Sequence, residues 1–109
     1  MRLLSPDVTT AVLDHEPLPP EEAVDGSPTA AVLTLDTVAG AEVGLWEMTE
    51  GTARDTEVDE VFVVVSGSGH VTFEDGQRLD LAPGVAVRLS AGERTAWTVT
   101  ETLRKVWVA

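Results

Sequence analysis

From residue 29 to residue 108 the chain is written in short bursts of apolar residues broken by turn formers, and no stretch keeps the three-to-four spacing of a helix. The bursts are TAAVLTLD, VGLWEMT, EVFVVVS, HVTFE, QRLDL, VAVRL, RTAWTVT and LRKVWV. Their length and β-branched content predict about eight strands. Val85, Val87 and Leu89 share one face with Ala86 and Arg88 opposite, and Thr95, Trp97 and Val99 share another. Val61 to Val65 does not alternate, which predicts a strand covered on both faces and hints at a dimer contact. Between the bursts, Gly67-Ser68-Gly69 is expected to join two strands and Asp75-Gly76 to make a type I′ hairpin. Ala82-Pro83-Gly84 and Ser90-Ala91-Gly92 supply further turns.

Many short antiparallel strands must bury one face and manage their edges, so an all-β sandwich or barrel follows. Residues 1–27 differ. They carry four of the six prolines, with a fifth following at Pro28, and show no sustained period, which reads as an extended N-terminal arm with one edge strand near Val8 to Leu13. The barrel is assigned to residues 28–109, and 109 residues suit one domain with one core.

Charge then narrows the partners. Nineteen acidic residues against seven basic ones give a net charge of -12, which repels phosphate backbones and anionic lipid and argues against nucleic-acid or membrane partners. Without cysteine there is no disulfide, thiolate chemistry or cysteine zinc site, which suits a cytoplasmic protein. The opening MRLLSPDV lacks the apolar run of a signal peptide.

Two glycine-turn frames carry a resemblance. Glu60 and Gly67, then Gly76-Gln77-Arg78-Leu79-Asp80-Leu81-Ala82-Pro83-Gly84 followed by Ser90-Ala91-Gly92, resemble the two motifs of the cupin superfamily. Val43–Gly51 and Trp97–Trp107 are similar to the small cupin subfamily of (S)-ureidoglycine aminohydrolase and EutQ. The resemblance implies a cupin jelly-roll β-barrel with a pocket inside it, and suggests ureidoglycine-type chemistry or related nitrogen and carbon metabolism. Metal-binding cupins place a His-x-His pair before the motif glutamate and a further histidine after the second motif. Here Arg54 and Thr56, or Ala53 and Asp55, stand at the pair positions and Thr95 at the third. No cofactor is therefore expected, although an Asp55, Glu57 and Glu60 oxygen site for a hard cation is conceivable.

The candidate site follows from these positions. Glu60 opens a strand whose same-face successors are Phe62 and Val64, so its carboxyl is expected to enter an apolar interior and serve as acid/base group or buried anchor. Arg54 would orient a ligand through its planar fork, Phe62 and Trp97 would form walls, and Thr95 shares the face of Trp97. Glu57 joins the ligand-contacting set from the rim, which it shares with Asp55 and Asp59. His15 and His70 are expected to face solvent. The expected protein is a homodimer that binds a small polar metabolite, as an enzyme or as a non-catalytic accessory cupin.

Overall fold

The computed structural model describes residues 2–109, and among these no helix occurs. Nine strands form: β1 (Glu16–Pro17), β2 (Ala23–Asp25), β3 (Thr29–Val38), β4 (Ala41–Met48), β5 (Gly51–Thr56), β6 (Glu60–Phe73), β7 (Arg78–Leu81), β8 (Ala86–Leu89) and β9 (Arg94–Val108). All pairings are antiparallel. Two long strands organise them. The first half of β6 pairs with the second half of β9, flanked by β8 on one side and by β4 and β3 on the other. The second half of β6 pairs with the first half of β9, flanked by β7 and by β5 and β2. One continuous sheet thus curls through two halves into an open barrel.

Sequence expectation and structure part at the joints of this curl. Gly67-Ser68-Gly69 was expected to end one strand and begin another, yet β6 runs straight through it. The bend is taken up by register shifts against β9 between Val64 and Gly69. Gly67 has φ +88°, and a Cβ there would collide with the Thr102 carbonyl, so only glycine lets the strands cross this closely. The Asp75-Gly76 turn is likewise not type I′, which needs positive φ at both central residues; here only Gly76 has it, at +90°. Gly76 N–H donates to the Phe73 carbonyl and Phe73 N–H to the Gln77 carbonyl, the pattern of a type I turn closed by a glycine bulge.

The core is built from the inward face of these strands. Leu45, Phe62, Val64, Val71, Leu89 and Leu103 are sealed from solvent, each burial contributing roughly 1.5–3 kcal/mol. Val61 and Val63, expected to be covered, are 44% and 40% exposed in the single chain, while Phe62 and Val64 between them are 1% exposed. The run is apolar throughout but one-sided in burial, because β6 is a layer of an open curl and its outer face carries no second layer.

The arm is stitched to the sheet at other places than expected. Val8 to Leu13 forms no strand; instead β1 pairs with β3 and β2 with β5. Leu18 packs against the core. His15 is fixed at the same edge: its Nε2–H donates to Glu47 Oε1 at 2.7 Å, and Nδ1 lies 2.9 Å from Thr29 Oγ1. Arg104 Nε donates to the other Glu47 oxygen at 2.7 Å, and Nη1 donates to the Val8 carbonyl at 2.9 Å.

Candidate functional site

Cross-strand register brings the site together. On the inner face Trp46 of β4 stands opposite Lys105 of β9, which stands opposite Val64 of β6. One step on, Gly44 faces Trp107, which faces Phe62. A Cβ at position 44 would collide with the Trp107 ring, so glycine makes the seat in which that indole lies. Toward the other end, Ala53 of β5 faces Trp97, and Asp55 faces Thr95.

These side chains enclose a cavity of about 480 Å³ whose wall includes Leu18, Trp46, Met48, Trp97, Trp107, Arg54, Asp55, Glu57, Glu60 and Lys105. Trp46, Trp97 and Met48 therefore line a space rather than plug it. A neighbouring groove of about 750 Å³ shares Arg54 and Asp55 and takes in Thr95, but Glu57, Glu60 and Lys105 line only the smaller cavity, which makes it the better site.

Lys105 is the residue that sequence reasoning passes over. Its side chain is 6% exposed, its Nζ donates to Glu60 Oε2 at 2.6 Å, and it lies 4.4 Å from the ring centre of Phe62 and 4.8 Å from those of Trp46 and Trp97. An ammonium embraced by three rings and one carboxylate is stabilised by cation–π attraction of roughly 0.5–2 kcal/mol per ring, beside its ion pair. A signal was present in the sequence: Leu103, Lys105 and Trp107 share a parity, which sets a lysine among inward residues.

The four crowded acids of residues 55 to 60 have four different environments. Asp59 clasps loops, with Oδ1 accepting from Ala91 N–H at 3.0 Å and from Arg88 at 3.2 Å. Glu60 is held by Lys105, and not by Arg54, Arg88 or a hydroxyl. Glu57, expected at the rim, is instead 7% exposed. Its Oε2 accepts from Thr95 Oγ1 at 2.6 Å and from Trp97 Nε1 at 3.0 Å. Asp55 stands at the mouth, open to solvent by surface area. Its carboxyl is nonetheless pushed up to about 6, by desolvation against the wall first and by the charge of Glu57 second.

Of the other expected site residues, Thr95 and Trp97 converge on Glu57. Phe62 is 1% exposed and lies beneath the cavity, its ring 5.5 Å from that of Trp97. Arg54 is exposed at the rim and makes no ion pair with a described residue. The donor set does not fit the metal of metal-binding cupins. Among the described residues no three histidine, cysteine or carboxylate side chains are grouped to hold an ion, and the cation seated on Glu60 is the Lys105 ammonium.

Comparison with known proteins completes the picture. The EutQ-like cupin domain matches residues 37–107. No curated protein matches the chain. Among solved structures, EutQ of Clostridium difficile superposes with a TM-score of 0.64 at 21% identity, over 74% of this chain and 61% of that one. A protein of unknown function from Pseudomonas syringae superposes with a TM-score of 0.76 at 23% identity, over 91% of this chain and 44% of that one. This chain thus spans less than two thirds of the length of either. Ectoine synthase from P. lautus shares the fold with a TM-score of 0.61 at 17% identity, over 81% of this chain and 67% of that one. The chain belongs to the EutQ-like cupin family, and its fold is the all-β single-domain cupin fold.

Proposed function

We propose that this EutQ-like cupin binds a small polar metabolite in the cavity of about 480 Å³, without a metal ion. The observation that carries this reading is Glu57. It is a buried carboxyl whose Oε2 is held by Thr95 and Trp97, while Oε1 receives no hydrogen bond from a described residue. No sealed side-chain oxygen or nitrogen among the described residues lacks a partner, so Oε1 keeps some accessible surface, and Glu57 lines this cavity. Thr95 and Trp97 position that oxygen, Trp46, Trp97 and Trp107 supply apolar wall, and Lys105 with Glu60 forms a charged floor. A few fixed polar groups in an apolar hollow are what small-molecule recognition requires.

As a catalyst the site would use Glu60 and Lys105 as a coupled proton donor and acceptor on the ligand, in ureidoglycine-type or related chemistry. A second reading, binding without turnover, is favoured by the 2.6 Å contact between them, since Glu60 already spends one oxygen on the ammonium. Glu60→Gln separates the two once native mass spectrometry has identified a retained metabolite. If the protein is an enzyme, turnover of that metabolite falls at least 100-fold while affinity stays within about tenfold. A purely binding protein turns the metabolite over in neither form. A protein that retains no metabolite and gains no thermal stability from a metabolite panel would sink both readings.

A further inference from the structure

The charge of the cavity wall is lopsided. Five acidic side chains (Glu22, Glu42, Asp55, Glu57 and Glu60) line it against only Arg54 and Lys105. Lys105 is already committed to Glu60, and Arg54 sits at the exposed rim. What remains along the wall is Glu57, whose Oε1 takes no hydrogen bond from a described residue, with the Asp55 carboxyl at the exposed mouth close enough to feel its charge. These two acids have acceptors to offer and form no ion pair with a described residue. Two other shielded carboxyls of this barrel have one: Glu47 has Arg104, and Glu60 has Lys105.

The same wall shows how it treats an ammonium. Lys105 Nζ rests against the faces of Trp46 and Trp97 while donating to a carboxylate. Trp107 lines the cavity as well but is not among the rings that embrace Lys105, so its surface remains for something else. A ligand with N–H donors and a positive charge meets both needs, since it would bond Glu57 and Asp55 and rest its carbon skeleton on an indole. An anionic ligand would face the net negative wall, and a neutral alcohol would satisfy an acceptor without relieving the repulsion between the two acids.

We propose that the ligand of this cavity is a small protonated amine, docked through its N–H groups on Glu57 and Asp55 with its apolar part against the tryptophan wall. The proposal rests on the cavity being the ligand site, and one titration tests the two separately. Trp97 Nε1–H is bonded to Glu57, so its indole signal in a ¹H–¹⁵N correlation spectrum reports directly on the docking carboxyl. Propylammonium, 1-propanol and propionate, matched in size, are titrated at neutral pH and low salt. The expected result is a saturable shift of the Trp97 signal with propylammonium, at a half-saturating concentration at least tenfold below that of either other probe. In Asp55→Asn, whose substituted side chain lies at the exposed mouth and leaves the core intact, propylammonium should weaken at least fivefold while propanol does not change. Propanol or propionate binding as tightly as propylammonium, or an Asp55→Asn response equal to the parent's, overturns the amine assignment and leaves the cavity as a ligand site. If no probe shifts the indole signal of Trp46, Trp97 or Trp107, the cavity reading falls and the amine assignment falls with it.

Discussion

Two regions of this barrel use buried carboxyl groups in opposite ways. At the arm-facing edge, Glu47 is bonded by Arg104 and His15, and every polar atom near it has an answering charge or hydrogen bond. Burial alone would raise its pKa, but the hydrogen bonds from Arg104 and His15 outweigh it and hold the group below the usual range. At the cavity mouth Asp55 has no ion-pair partner among the described residues, and desolvation first and the charge of Glu57 second raise its pKa to about 6, against a small opposing effect of Lys105. The first region is finished by the chain itself. The second is left with acceptors that the chain does not answer, as the proposed ligand site requires.

The comparison can be broken most severely at Lys105. Lys105→Met would strip Glu60 of its only ion-pair partner among the described residues and leave a largely buried carboxylate unanswered, and should cost about 3–5 kcal/mol in urea unfolding. Adding Glu60→Leu to that variant removes the orphan and should restore much of the loss; failure to do so would mean that the ammonium matters for packing and not for the charge. Next in size is Arg104→Ala, which removes one partner of Glu47 and the tie to the Val8 carbonyl, for a cost of roughly 2–3 kcal/mol at neutral pH. Because the folded pKa of Glu47 is depressed, this contribution is present above its unfolded value near 4.5 and is lost as pH falls through the folded one. Denaturation curves of parent and variant should therefore draw together in acid.

Asp55 has the reverse sign and the smallest effect. Its pKa rises from 3.8 unfolded to about 6 folded, so the folded state binds more protons between those values, and stability declines as pH climbs through that window. Asp55→Asn should match the parent near pH 4. At pH 7 it should be more stable by on the order of half a kcal/mol, since water screens an exposed carboxyl. A loss of stability at pH 7 would show that Asp55 is held by the fold, and the contrast with Glu47 would disappear.

Much of the barrel can be read from pattern alone. Period-two alternation at Val85, Val87 and Leu89 and at Thr95, Trp97 and Val99 is a local property of each strand, and turn glycines report their own backbone needs. The site was only half visible by such means. Trp97, Thr95, Glu57 and Glu60 stand out because of residue type and their place in the cupin frames, but nothing in the chain says that Thr95 and Trp97 will both bond to Glu57, some 40 residues away.

Sequence by itself determined the all-β fold, the absence of cupin histidines and the inward parity of Glu60, because each depends on near neighbours in the chain or on residue identity. Tertiary structure decided which charges are answered. Lys105 meets Glu60 across 45 residues, and Glu57 is carried inward while Asp59, two positions on, clasps a loop. Coulombic and hydrogen-bond partners act over a few ångströms of space, and only the register of β4, β5, β6 and β9 sets those distances.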